Sequence, residues 1–89
     1  MRFYSQQHQF YCGIDLHANS MYACVIGDDG TKHLHQNFPT REPDRFLSAL
    51  KPFREHDLIV GCESTFNWYW LADLCSVQNV PFLLGHAFT

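Results

Sequence analysis

The sequence predicts one small α/β domain built on a mixed β-sheet, with its elements in the order βββαβαβ. The first part of the chain carries short runs of strand-forming residues separated by turn signals. The spacing of apolar residues then changes to that of a helix. Next comes a nearly continuous apolar run, which is typical of a buried parallel strand. A chain of 89 residues makes one domain at most. Residues 1–9 are mostly polar and are interpreted as a lead-in to a domain over residues 10–89.

The leading strands are separated by a clear turn signal. Gly27-Asp28-Asp29-Gly30 fits the loop of a hairpin. The strand after it alternates only weakly and is expected at an edge of the sheet, with His33 and His35 exposed on one of its faces. The three predicted strands are Phe10–Leu16, Met21–Gly27 and Lys32–Asn37.

The first helix is predicted from an apolar stripe between two prolines. Pro43 suits the first helical turn, with Thr40 or Glu42 near the cap. Pro52 is expected to mark the exit, because the residue before a proline avoids helical geometry. The stripe has the spacing i, i+1, i+4, i+7 and consists of Phe46, Leu47, Leu50 and Phe53.

The rest of the chain reads as strand, helix, strand. Asp57–Cys62 is apolar enough for a strand covered on both faces. Asn79 can end the following helix in a left-handed conformation, and Val80–Leu84 is the fifth predicted strand. The candidate N-caps of that helix are Ser64, Thr65 and Asn67, and its apolar stripe is Trp68, Leu71, Ala72 and Cys75.

Composition and charge limit the function classes. Apolar residues make up 46% of the chain and aromatic residues 16%, which suits a packed core. The net charge is −3, so the chain should bind DNA only weakly by itself, because phosphate contacts need cations. The four cysteines lack a CxxC pair, which favours reduced thiols over a zinc site. No signal peptide or membrane span is found, and a cytoplasmic location is expected.

Two carboxylates stand at matching places in this arrangement. Asp15 lies near the end of the first strand, and Glu63 directly follows the fourth. If these strands are parallel neighbours about 4.8 Å apart, both acids converge on one spot at the carboxyl ends of the strands. Hard oxygen ligands of this kind suit Mg²⁺. The alternative is structural: a turn or cap aspartate, and a glutamate at a helix N-terminus.

The order of elements, with the first and fourth strands parallel in the middle, is that of the ribonuclease-H-like fold. Four segments resemble the start of transposases of the insertion-sequence-110 family, and together they cover roughly residues 10 to 88. The segments are Tyr11-Cys12-Gly13-Ile14-Asp15-Leu16-His17, Cys62-Glu63-Ser64-Thr65, Asn67-Trp68-Tyr69-Trp70-Leu71-Ala72-Asp73-Leu74-Cys75 and Pro81-Phe82-Leu83-Leu84-Gly85-His86-Ala87.

The resemblance implies a RuvC-like nuclease domain with an acidic DEDD tetrad, in which Asp15 is the first acid and Glu63 the second. It implies Mg²⁺ as the cofactor, DNA as the substrate and a structured guide-type RNA as a partner. The third and fourth acids of the family follow the last of these segments, so a C-terminally truncated domain, inactive alone, is expected. Exposed apolar surface in such a domain favours a homodimer.

Two rival functions stay open. One is a non-catalytic folding or assembly module. The other is a fragment of an actin- or sugar-kinase-like ATPase, although Leu16-His17-Ala18 lacks the glycines of its phosphate loop. His17 and Asn19 could orient substrate or metal-bound water, or could be ordinary loop residues. Tyr69 and Trp70 could stack on a base or pack within the protein.

Overall fold

Along residues 8–63 and 68–85, which a computed structural model describes, strands and helices follow one another in the predicted order βββαβαβ. The α/β class is thereby confirmed. The strands are β1 (Phe10–Leu16), β2 (Ser20–Gly27), β3 (Lys32–Pro39), β4 (Leu58–Glu63) and β5 (Phe82–Gly85). The helices are α1 (Pro43–Arg54) and α2 (Trp68–Val77).

The strands form a mixed five-stranded sheet in the order β3-β2-β1-β4-β5. β1 is antiparallel to β2, and β2 is antiparallel to β3. β4 is parallel both to β1 and to β5. The prediction that the first and fourth strands are parallel neighbours in the middle of the sheet is therefore confirmed, and β3 lies at an edge as expected.

The hairpin between β2 and β3 closes as its glycines predict. Gly30 has a φ of 86°, a conformation that favours glycine, and its N–H donates to Gly27 O at 2.9 Å. The Thr31 N–H donates to Asp29 Oδ1 at 2.9 Å, so a side chain of the turn also hydrogen-bonds to its backbone.

Only the last two residues of the polar lead-in lie within the described part of the chain, and both are tied to the sheet. The His8 ring Nδ1 lies 2.8 Å from Asp57 Oδ1, just before β4, and the His8 N–H donates to Tyr11 Oη at 2.9 Å. Gln9 O accepts from the Asp28 N–H at 2.9 Å. Residues 1–7 are outside the described residues.

Helix α1 begins where predicted and ends later. Pro43 is its first residue, and Glu42 is its N-cap without a side-chain cap hydrogen bond. The prediction that Pro52 marks the exit is wrong, because the helix continues to Arg54. A proline this close to the C-terminus interrupts little of the backbone ladder. The Phe53 ring, which packs edge-on to Phe10 at 5.1 Å between centroids, holds the last turn against the sheet.

Helix α2 ends in a Schellman motif, as Asn79 predicts. Asn79 has a φ of 58°, and its N–H donates to Ser76 O. The Val80 N–H reaches back to Cys75 O at 2.8 Å, and both residues are buried. The candidate N-caps Ser64, Thr65 and Asn67 lie outside the described residues.

The hydrophobic core lies on one face of the sheet, the covered face, against which both helices pack. Alternate residues of each central strand point toward it. From the helices it receives Phe46, Leu50, Leu71 and Cys75, all essentially inaccessible to solvent. From the strands it receives Cys12, Ile14, Leu16, Met21, Ala23, Val25, Phe38, Leu58, Val60 and Cys62.

Three of the four cysteines belong to this core, and all four are free thiols. Burial, followed by the neighbouring thiols Cys75 and Cys24, raises the pKa of Cys12 to about 12. Burial likewise raises the pKa of Cys75 to about 11. These thiols stay protonated at neutral pH and serve as small apolar side chains, as the missing CxxC pairs suggested. Cys24 is only half-buried.

The opposite face of the sheet, the open face, has no described helix packed on it. The prediction that the fourth strand is covered on both faces is confirmed for Leu58, Ile59 and Val60, which are buried. Gly61 is only half-buried, and Glu63, which was expected after the strand, is exposed. The apolar run therefore predicts the covered face of this strand better than it predicts whether anything packs on the other face. The central positions of this face are Tyr11, Gly13, Asp15, Tyr22, Cys24, Ile59, Gly61 and Glu63.

Neither described helix is both long and apolar enough to cross a membrane.

Candidate metal site

Asp15 stands at the end of a strand whose other side is fixed in the core. It lies between the buried residues Ile14 and Leu16, so alternation directs its side chain to the open face. Its partner across β2 is Tyr22, which is 42% exposed. Asp15 is a solvated carboxylate held on a rigid backbone.

Glu63 occupies the equivalent place on the neighbouring parallel strand. It is the last residue of β4, is exposed, and lies opposite Gly85 of β5. The residue before it, Cys62, is buried. Burial, and next the negative charge of Glu63, raise the pKa of the Cys62 thiol. Glu63 therefore projects to the same open face as Asp15.

The register between the two strands brings the acids side by side. Ile14 pairs with Cys62, so Asp15 and Glu63 are the next residues along two parallel neighbours. Adjacent strands lie about 4.8 Å apart. An arrangement on opposite faces would have excluded a shared ligand, and the structure has them on one face. Their role as catalytic metal ligands stays a prediction, as does a carboxylate separation of about 4–7 Å.

A histidine contacts the first of these acids. His17 Nε2 lies 3.1 Å from Asp15 Oδ2, and both side chains are largely exposed, at 60% and 72%. The sequence left two roles open for His17, orienting substrate or metal-bound water, or an ordinary loop residue; the structure places its ring against Asp15, and both roles stay predictions. Asn19 contributes its backbone: its carbonyl accepts from the Thr40 N–H at 3.1 Å.

Sequence reasoning missed a pair of glycines beside the acids. Gly13 and Gly61 pair directly across the two central strands. A Cβ built at Gly13 would meet no described atom within 4 Å, whereas one at Gly61 would meet Leu83 O at 3.3 Å. Each glycine stands two residues before an acid, so it shares the open face with that acid. The backbone at Gly13 and Gly61 therefore carries no side chain next to the carboxylates, and we call these two residues the glycine shelf.

The repeated pattern could have revealed this shelf. Gly13-Ile14-Asp15 and Gly61-Cys62-Glu63 are both glycine, apolar residue, acid. Since strand side chains have a period of two, each triplet predicts a glycine and an acid on one face and an apolar residue on the other. Two such triplets on neighbouring parallel strands predict the observed site.

The other candidate residues lie away from this site or have packing roles. Trp70 is half-buried against the core, and Tyr69 is 64% exposed with its ring stacked on Trp68 at 4.0 Å. His35 is exposed as predicted. His33 is exposed too, but its ring packs edge-on to Phe10 at 5.3 Å. The pairing of β2 and β3 shifts register between Val25 and Ile26. Because this shift falls between the two histidines, their side chains have different neighbours.

Among residues 8–63 and 68–85, no group of three or more histidine, cysteine, aspartate or glutamate side chains is arranged to hold a metal ion. The candidate site there consists of two carboxylates and the histidine on one of them. The sequence matches no known family profile, and no curated protein matches it closely enough to indicate kinship. The resemblance to insertion-sequence-110 transposases therefore stays a prediction.

Proposed function

We propose that this chain carries the first half of the acidic Mg²⁺ site of a ribonuclease-H-like (RuvC-like) DNA transposase domain. One observation carries the proposal: the last residue of β4, Glu63, and the next-to-last residue of β1, Asp15, are acids on neighbouring parallel strands, and both lie on the open face. The strand order β3-β2-β1-β4-β5 is compatible with that fold. The segments that resemble insertion-sequence-110 transposases contain both acids.

The donor set fits Mg²⁺. This ion prefers oxygen ligands, keeps several of its waters, and is commonly bound by one or two carboxylates together with substrate phosphates. Asp15 and Glu63 are exposed, so water and a phosphate could complete the coordination. When bound, divalent cations stabilise the attacking and leaving oxygens of a phosphodiester displacement. With two carboxylates, the affinity of these residues for Mg²⁺ should be weak.

The chain's own residues would hold and orient the reacting groups. The covered face fixes the two strand ends, and through them the two carboxylates. The glycine shelf lets a substrate backbone approach the acids without meeting side chains at Gly13. DNA is the proposed substrate and a guide-type RNA a proposed partner. The net charge of −3 means that cations for the phosphates must come from elsewhere in a functional complex.

A non-catalytic assembly module is the second candidate, and the exposed apolar surface favours it. Tyr69 and Val77 are 64% and 75% exposed on α2, and Tyr22 is 42% exposed on the open face. Exposed apolar groups of this kind contribute to protein interfaces when they are contiguous. A homodimer would satisfy either function, and light scattering at micromolar concentration measures it.

The metal proposal is tested by adding Mn²⁺ to the ¹⁵N-labelled chain and recording which amide signals broaden. We expect broadening centred on residues 14–16 and 62–63. Asp28 and Asp29, an acid pair in the β2–β3 turn that is also exposed, provide an internal control and should respond less. Asp15→Asn should also reduce the broadening at Glu63, because the two acids share the ion. Equal broadening at the turn acids would contradict the proposal.

A further inference from the structure

The two helices differ in the surface that they turn away from the sheet. Helix α1 contains both acidic and basic residues, as the outer face of a surface helix normally does. Helix α2 has the sequence WYWLADLCSV, in which Asp73 is the only charged residue. A helix that is apolar nearly all round is normally buried on more than one side. Yet Tyr69 and Val77 of α2 are 64% and 75% exposed, so its outer side is an apolar surface in contact with solvent.

The exposed residues of α2 lie in one row. Tyr69, Asp73 and Val77 follow one another at intervals of four residues, which places them on the same side of the helix, and we call them the α2 stripe. The Tyr69 ring stacks on Trp68 at 4.0 Å, which widens the apolar start of the stripe. The buried residues of the helix, Leu71 and Cys75, point to the opposite side. The stripe therefore faces outward, with an acid between two apolar side chains.

Helix α1 has a surface that complements this stripe. An open groove runs along α1, and the half-buried Leu47 is its apolar residue. Arg54, which also lines the groove, donates from Nη2 to Gln78 O at 2.8 Å, just after the end of α2. The groove therefore lies on the side of α1 that faces α2. Its lining consists of Asp44, Leu47, Ser48, Lys51, Arg54 and Glu55.

The acid of the stripe and a lysine of the groove lie at nearly the same level. Helix α1 leads from β3 to β4 and α2 from β4 to β5, so both run opposite to these parallel strands and parallel to each other. The contact of Arg54 with Gln78 aligns their ends. At 1.5 Å per residue, Lys51 lies about 4.5 Å before Arg54. By the same rise, Asp73 lies about 7.5 Å before Gln78.

This shared level selects one way of packing two copies through their helices. A two-fold axis parallel to the helices keeps the level, lays α2 of each copy over α1 of the other, and brings Asp73 to the second copy's Lys51 at two places. A two-fold axis across the helices would pack α2 against α2 and bring two copies of Asp73 together. Among the described residues, neither Asp73 nor Lys51 has an ion-pair partner within the chain. Charge complementarity therefore favours the first arrangement.

We propose that the outer side of the two helices is a homodimer interface, in which the α2 stripe of each copy packs along α1 of the other. Asp73 pairs with the second copy's Lys51, and Tyr69 and Val77 are covered on either side of that pair. The inference gives the proposed assembly function a surface and a partner. It does not depend on the cation site, because the helices lie on the covered side of the sheet and the two acids on the open face.

Sedimentation equilibrium of the 89-residue chain tests the interface by charge reversal. We expect the unchanged chain to dimerise at micromolar concentration. Asp73→Lys should weaken the dimer about tenfold or more, because it turns two attractive contacts into repulsive ones. Adding Lys51→Glu to Asp73→Lys should restore the dissociation constant to within about threefold, since the pair is then reversed. Asp28→Lys, in the β2–β3 turn, changes the net charge equally and should leave dimerisation as it was.

Val77→Asp tests the apolar part of the interface while the charge pair stays in place. It should weaken the dimer at least about tenfold, because the new carboxylate would be buried between the copies. Far-UV circular dichroism of each variant establishes that the helices are intact.

The inference is overturned if the unchanged chain stays monomeric at hundreds of micromolar, or if Val77→Asp dimerises like the unchanged chain. It is equally overturned if Asp73→Lys behaves like Asp28→Lys, or if the double reversal dimerises no better than Asp73→Lys alone. Asp15→Asn, which tests the cation site, should leave the dimer unchanged. Failure of the interface therefore leaves the Mn²⁺ response of the open face as a separate result.

Discussion

The two faces of the sheet have different compositions along the same strands. On the covered face, β1 presents Cys12, Ile14 and Leu16, each at most 7% exposed. On the open face, the same strand presents Tyr11, which is half-buried, and Gly13 and Asp15, which are exposed. One backbone thus serves two environments, because successive side chains point to opposite sides.

The difference indicates which face of the sheet stabilises the fold and which face is available for another role. Burial of apolar surface is the main favourable term in folding, and the covered face supplies most of it. Apart from the buried Ile59, the side chains on the open face are exposed or half-buried, so they are less constrained by packing. The covered face holds the strands that carry Asp15 and Glu63, so the position of their backbone does not depend on the two acids.

The largest expected effect comes from removing an aromatic ring from the covered face. Phe46→Ala should lower the free energy of unfolding by about 3–5 kcal/mol, because it leaves a cavity in a fully buried site. Tyr22→Ala, on the open face, is the matched control and should change it by about 1 kcal/mol or less, since that ring is 42% exposed. Urea unfolding measures both. Similar losses in the two variants would mean that the open face is packed as tightly as the covered one.

A smaller effect separates the two glycines of the shelf. Gly61→Ala places a methyl group 3.3 Å from the backbone oxygen of Leu83, which should destabilise the fold by about 1–2 kcal/mol. Gly13→Ala meets open space at an ordinary strand backbone and should be neutral, or stabilise by about 0.5 kcal/mol. The same urea titration distinguishes them. A large loss at Gly13 would show that something covers the shelf after all.

Local signals in the sequence predicted much of this architecture. Gly30 and Asn79 adopt the left-handed conformations that their places in turn signals required. The order of elements followed from the change in apolar period. These features depend on neighbours within a few residues, which is why one sequence is enough to predict them.

Features that depend on distant contacts were harder to predict. Pro52 lies inside α1, and the next residue, Phe53, packs against Phe10, a residue more than forty positions earlier. The glycine shelf exists only because β1 and β4 pair in a register that neither strand contains by itself. The contact of His17 with Asp15 depends on a turn that is anchored from Thr40.

The central claim is that the acids of the open face serve a cation rather than the fold. The most direct test compares the free energy of unfolding of the unchanged chain and of Asp15→Asn combined with Glu63→Gln, in EDTA and in Mg²⁺. In EDTA, the double variant should be as stable as the unchanged chain, or more stable by about 0.5 kcal/mol, because two neighbouring like charges are gone.

In Mg²⁺ at about ten times its dissociation constant, the unchanged chain should gain about 1.4 kcal/mol, since the ion binds the folded state. The double variant should gain nothing, and Asp28→Asn, an acid in the β2–β3 turn, should gain as the unchanged chain does. A double variant that loses about 2 kcal/mol or more in EDTA, or that gains as much from Mg²⁺ as the unchanged chain, would contradict the claim.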